Sequence, residues 1–136
     1  MNLVWTDAKT RIEQRAPFTG GIVELVAKVD EQLRIYAQEA PDRYPGMALE
    51  ISEEASESLA FGVTPDGWSL VLWDGDDASW RTAGDEEATG SYAVVWSVPD
   101  DLPASWFVPR EAALGAVECW LRDQSMDTAL EWVANG

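Results

Sequence analysis

Between residues 47 and 98, short apolar runs alternate with turn signals, and this rhythm restricts the fold more than any other feature of the chain. Residues 47–51 are apolar with a break at Glu50, and residues 59–63 form a second run. Pro65-Asp66-Gly67 then supplies a turn. From residue 68 to 73 the pattern alternates. Trp68, Leu70 and Leu72 face one way, and Ser69, Val71 and Trp73 face the other, the period of a strand between two environments. Asp74-Gly75 gives the next turn. Residues 79–82 read as the return strand, 92–98 as a further apolar run, and 106–108 as a strand leading into Pro109. Connections this short join antiparallel neighbours.

Helical periodicity brackets this series. After a short strand at residues 3–8, Thr19-Gly20-Gly21 opens a segment in which Ile22, Val26, Val29, Leu33 and Tyr36 recur at helical spacing. Glu24–Lys28 and Asp30–Arg34 stand four residues apart on its wet side. Pro41 ends it. Pro109 begins a second helix, with Glu111 beside its positive end. Ala113, Val117, Trp120 and Leu121 form its apolar stripe, residues 123–128 end it, and 129–133 read as a last strand. The expected class is α+β. It is a mostly antiparallel sheet of about six to seven strands with two helices packed on it, in the order β-α-β-β-β-β-β-α-β. Residues 1–136 read as a single domain, since no linker-like stretch divides them.

Composition narrows the chemistry. The chain has no histidine and one cysteine. Ser-His-Asp and Cys-His nucleophiles are therefore excluded, as are the usual zinc sites. Cys119, within the second helix, reads as a small buried apolar residue. No apolar run reaches the roughly 18 residues of a membrane span. Met1-Asn2-Leu3-Val4-Trp5-Thr6-Asp7 lacks a basic region followed by an apolar stretch, so cytoplasmic residence is the expectation. The formal net charge is −16, which repels nucleic acid and anionic membranes and attracts basic partners. Eight tryptophans exceed what a core of this size requires. Most are expected in the core and the rest at the surface, where tryptophan anchors interfaces.

Acidic runs stand in three expected loops: Asp74-Gly75-Asp76-Asp77, Asp85-Glu86-Glu87 and Asp100-Asp101. The first is no calcium loop, because Ser79 and Asp85 occupy the positions that need Gly and a bidentate Glu. No metal or cofactor is expected. The glycines make no phosphate-binding loop. No catalytic set stands out among the 25 carboxylates. A partner-binding role therefore falls on Asp74, Asp76, Asp77, Asp85, Glu86 and Glu87, with Trp73 and Trp80 as aromatic anchors at the hairpin ends.

The C-terminal third adds a resemblance. Val108-Pro109-Arg110-Glu111-Ala112-Ala113, Ala116-Val117-Glu118, Trp120-Leu121 and Leu130-Glu131-Trp132 follow one another in the order and spacing of a known signature. It resembles that of the first-numbered Imm family of bacterial polymorphic-toxin immunity proteins. Gly67-Trp68-Ser69-Leu70 and the acidic turn after it fit the family's middle, and the resemblance covers roughly residues 45 to 134. Gln124 and Asp127 stand where the family pattern has a Gly and then a Pro. The resemblance implies a non-enzymatic protein that neutralises a cognate toxin, a nucleic-acid deaminase in this type, by occluding its active site or substrate groove. Two other readings are a carboxylate-based hydrolase and an acidic nucleic-acid mimic that binds basic proteins.

Overall fold

The computed structural model describes residues 1–51, 57–74, 79–96 and 99–134, with the side chain of Asp74 excepted. These residues form two helices and a sheet of ten strands, mostly antiparallel. The α+β class is as expected, and the strand number exceeds the expected six to seven.

β1 (Asn2–Thr6) and β2 (Glu13–Pro17) form a hairpin, and α1 (Ile22–Glu39) follows. β3 (Tyr44–Glu50), β4 (Glu57–Val63), β5 (Gly67–Asp74) and β6 (Ser79–Thr82) then run as an antiparallel meander. β7 (Ser91–Val95) and β8 (Pro99–Pro103) make a further hairpin, joined to the start of β3 by a parallel pairing of β7. A 3-10 turn (Ala104–Trp106) and β9 (Val108–Pro109) lead into α2 (Arg110–Asp123), and β10 (Trp132–Ala134) closes the chain against β6. The main path across the sheet is β10-β6-β5-β4-β3-β1-β2.

Two strands were not anticipated, β2 and β8, and their composition explains why. Glu13–Pro17 and Pro99–Pro103 are rich in charge and proline, which strand propensity disfavours. Both lie at edges, where a missing N–H costs no ladder bond and charge deters unwanted pairing. The strand expected at residues 129–133 is shorter and later, because Asp127 organises a turn first. Its carboxylate accepts from the Ala129 N–H at 2.9 Å, and its carbonyl accepts from the Trp132 indole N–H at 2.9 Å.

Both helices lie on one face of the sheet, α1 against β3 and α2 against β5. Leu3, Met47, Leu49, Leu59, Phe61, Trp68, Leu70 and Leu72 point towards them, and Leu25, Val29, Val117 and Trp120 answer from the helices. Phe61 and Trp68 stack with ring centroids 5.4 Å apart. The buried stripe of α1 is Leu25, Val29, Gln32 and Tyr36, with Ile22, Val26 and Leu33 half-buried beside it. The helical spacing holds, but the centre of the face is rotated by about one residue. The expected i,i+4 ion pairs are replaced. Glu24 accepts from the Gly21 N–H at 2.9 Å, Lys28 lies over the Trp5 ring, and Asp30 meets Arg110 of α2 at 3.1 Å.

Tryptophan is less buried than composition suggested. Trp68 and Trp120 are buried, Trp5, Trp80, Trp96, Trp106 and Trp132 are half-buried, and Trp73 is exposed. Cys119 is half-buried rather than buried, with its sulfur 3.4 Å from the Ser125 hydroxyl.

Two positions give tests of stability. Gln124 caps α2 in the left-handed region (φ 54°) and donates its N–H to the Trp120 carbonyl. The sequence resemblance places Gly at this position, and Gly adopts that conformation with the least steric cost. Gln124→Gly is expected to stabilise the fold by about 0.5–1 kcal/mol, read as a rise of about 2–5 °C in Tm. A fall in Tm would contradict it. Tyr36 is buried and its hydroxyl donates to the Thr6 carbonyl at 2.6 Å. Burial pushes its pKa up to about 12. The fold thus favours the neutral phenol: its contribution is complete below the ordinary value of about 10 and is lost as pH rises towards 12. Urea titrations from pH 9 to 12 should show wild-type stability falling more steeply than that of Tyr36→Phe. Parallel curves would refute this.

Candidate functional site

The face of the sheet away from the helices is built from small residues. Alternation brings Gly46 and Ala48 of β3, and Ala60 and Gly62 of β4, to that side. The β7–β8 hairpin lies on them. A Cβ placed on Gly46 would stand 2.6 Å from the Trp96 ring, and one on Gly62 would stand 3.1 Å from a Val94 methyl. The Thr6 hydroxyl donates to the Trp96 carbonyl. Tyr92 bridges Tyr44 and Phe107 through ring contacts at 5.4 and 4.7 Å. The hairpin is therefore seated by shape, with aromatic contacts along its length.

Beside the hairpin, the same face opens into a groove of about 420 Å³. Ala60 and Val71, directly paired across β4 and β5, lie in its lining. Trp73, Trp96, Trp106 and Leu102 line it, together with the exposed Asp100 and Asp101 of β8. Trp73 is 39% exposed, one of the more exposed large apolar side chains among the described residues. Arg81, paired with Val71, places its guanidinium 4.5 Å from the Trp106 ring centroid. Trp96 also lines a neighbouring hollow of about 230 Å³ with Glu13, Glu50 and Ser58.

The expected contact residues are distributed differently from the grouping that sequence suggested. Trp73 lies in the groove, and Asp74 closes β5 opposite Glu57. Asp76 and Asp77 lie outside the described residues. Trp80 pairs with Leu72 and so belongs to the helix-bearing face, opposite Trp73. Asp85, Glu86 and Glu87 are exposed in the turn after β6, where Asp85 lines a hollow with Gly67, Tyr92 and Phe107. That hollow is at the start of β5, roughly 20 Å of strand from Asp74. Sequence reasoning missed the joining of Trp96 and Trp106 with Asp100-Asp101. The available signal was an acidic dipeptide between two tryptophans and two prolines in one short stretch.

Among the described residues, three carboxylates have clearly displaced pKa values, and each is held below the usual range. Asp7 accepts from the Thr10 and Lys9 N–H groups. Glu24 is held down by backbone N–H groups at the start of α1, its own and that of Gly21. Asp123 accepts from the Ser125 hydroxyl and N–H.

The profile of the family Immunity protein Imm1 matches residues 21–134. The chain belongs to the Imm1 family. The match takes in α1 as well as the region of resemblance from residue 45, and it contains every residue of the aromatic groove. The β1–β2 hairpin lies outside it. No curated protein sequence matches the chain. As an Imm1 protein it is an immunity protein, whose role is to bind and neutralise a cognate toxin. Among the described residues, no helix of this Imm1 protein is long and apolar enough to cross a membrane.

The seating of the hairpin can be tested directly. Gly46→Ala puts a methyl into the Trp96 ring and against the Val95 carbonyl. It should cost about 1–3 kcal/mol by overpacking and shift the tryptophan emission as Trp96 is displaced. Unchanged stability and emission would show that the hairpin is not held on this face as described.

Proposed function

We propose that this immunity protein covers the substrate groove of a basic toxin, a nucleic-acid deaminase in our reading, with the face that carries Trp73, Trp96 and Trp106. The observation that supports this best is the groove itself: three partly exposed tryptophans and two rim carboxylates on the face that bears no helix. Tryptophan in a partly enclosed pocket with a polar rim is the usual composition of an interface hot spot. The net charge of −16 supports the choice of partner. A nucleobase deaminase must attract a polyanion to its pocket, and an acidic inhibitor is steered to the same place. Asp74, which ends β5, and Asp76 and Asp77, which follow it in sequence, act as contacts in this reading, and Asp85, Glu86 and Glu87 contribute steering. The 136 residues act as one domain, in the cytoplasm, without catalysis, metal or cofactor.

The test is calorimetric titration of the cognate toxin, obtained by pull-down with the tagged chain. Asp100→Lys combined with Asp101→Lys should weaken Kd by about 100-fold or more. The reversal pair Asp85→Lys with Glu86→Lys should weaken it by only about five-fold, mainly through the on-rate. Equal effects at both sites would reduce the interaction to general charge, and no effect at Asp100 and Asp101 would remove the groove from the interface.

A further inference from the structure

The geometry points to the groove as a receptor for one basic side chain, an arginine or lysine projecting from the toxin, held between tryptophan faces and the Asp100 and Asp101 carboxylates. This deepens the reading of the groove as the toxin-facing surface and rests on it for the biological source of that side chain.

Shape and charge select the occupant together. The lining residues Ala60, Val71 and Leu102 are apolar and offer no side-chain donor or acceptor. Trp73, Trp96 and Trp106 contribute three indole rings, and an indole face attracts a cation through its quadrupole. Asp100 and Asp101 are exposed on the edge strand at the mouth of the groove. A neutral aromatic or aliphatic side chain would satisfy the walls and leave the rim charges unused. A long basic side chain satisfies both, with its methylene stem on the apolar lining and its charge among rings and carboxylates. A volume of about 420 Å³ accommodates such a side chain with part of its backbone.

The chain already carries out one version of this interaction. The Arg81 guanidinium stands 4.5 Å from the Trp106 ring centroid, with one of its nitrogens donating to the Thr82 carbonyl at 3.3 Å. Trp106 is thus oriented to receive a guanidinium. Arg81 reaches it from the β6 side and is absent from the groove lining, which leaves the groove without a basic residue among its lining residues. Arginine suits the site better than lysine, because its planar, weakly hydrated head stacks on rings and pairs with carboxylates at once.

The experiment uses the chain alone, so that its result is independent of the immunity reading. The indole N–H signals of the 15N-labelled protein, assigned by Trp→Phe substitutions, are followed at low ionic strength. The probes are N-acetyl-arginine amide, N-acetyl-lysine amide and the neutral isostere N-acetyl-citrulline amide. The arginine probe should shift Trp73, Trp96 and Trp106 with a millimolar Kd while leaving Trp5 and Trp132 in place. Citrulline should bind about ten-fold more weakly, with lysine between them. Asp100→Asn with Asp101→Asn, both exposed and safe for folding, should weaken the arginine probe about five-fold. Arg81→Gln, which removes a competing cation, should tighten it. Equal binding of citrulline and arginine, shifts spread over all indoles, or indifference to the Asp100 and Asp101 pair would each overturn the proposal. If toxin binding is lost in the groove variants while the probes do not bind, the interface stands and the basic side chain is wrong.

Discussion

Alternation of side-chain size along β3, β4 and β5 is the constraint on which the rest of the molecule depends. Every second residue is large and apolar, and these residues take the two helices: Met47, Leu49, Leu59, Phe61, Trp68, Leu70 and Leu72. The residues between them on β3 and β4 are small: Gly46, Ala48, Ala60 and Gly62. A strand has period two, so a slip of one residue would send every bulky side chain to the wrong face. One face becomes the core. The other becomes a shallow bed that admits a second hairpin, and the groove is what the hairpin leaves uncovered. Ala60, a small residue, is part of its lining.

The charge of the chain is arranged around this frame. Cations are scarce, at nine Lys and Arg against 25 acids. Arg15 meets Glu50 at 2.9 Å across the β1–β2 edge, Arg110 ties α2 to Asp30 of α1, Lys28 covers Trp5, and Arg81 covers Trp106. Such partly exposed pairs add little stability each, and their value lies in fixing which surfaces meet. Several acids serve locally too. Asp7 closes the β1–β2 turn, Glu24 satisfies the Gly21 N–H before α1, and Asp127 shapes the entry to β10. What remains is an excess of exposed carboxylate that opposes folding weakly and, in the proposed reading, steers a basic partner.

How much of this could be read from sequence follows from how local each cause is. Both helices, the meander from β3 to β6 and the alternation in β5 were legible because periodicity is written within a few neighbouring residues. β2 and β8 were not, because their pairing is imposed by β1 and β7 rather than by their own propensities. The family resemblance, carried by residues such as Val108, Pro109, Trp120 and Trp132, agreed with the Imm1 match and reached the role before the site. The candidate site was only partly legible. Trp73 and Trp80 were read together as anchors at one hairpin end, but Trp80 differs from Trp73 by an odd number of places across the β5–β6 pairing and emerges on the other face. The Asp74 and Asp85 runs looked adjacent in sequence, and β6 carries the chain back towards the start of β5 before the second begins. Trp96 and Trp106 meet only because β8 folds back on β7, a fact with no local signature.

These two layers, diffuse acidity and a shaped groove, divide the work of an inhibitor in a physically distinct way. Long-range charge accelerates encounter and is screened by salt within about 10 Å at ordinary ionic strength. It cannot tell one basic protein from another. Discrimination needs contacts that a wrong partner fails to make, or makes at a cost. In the proposed reading the aromatic groove supplies both. Burying Trp73, Trp96 and Trp106 rewards a complementary surface, while a partner that covers Asp100 and Asp101 without matching them leaves carboxylates desolvated and unpaired, which costs more than the encounter gained. A purely acidic mimic would tolerate every basic surface, and it would need no groove. In the proposed reading, the shaped face beside the β7–β8 hairpin is the feature that separates a cognate inhibitor from a polyanion, and Gly46 and Gly62 let that hairpin sit close to the sheet.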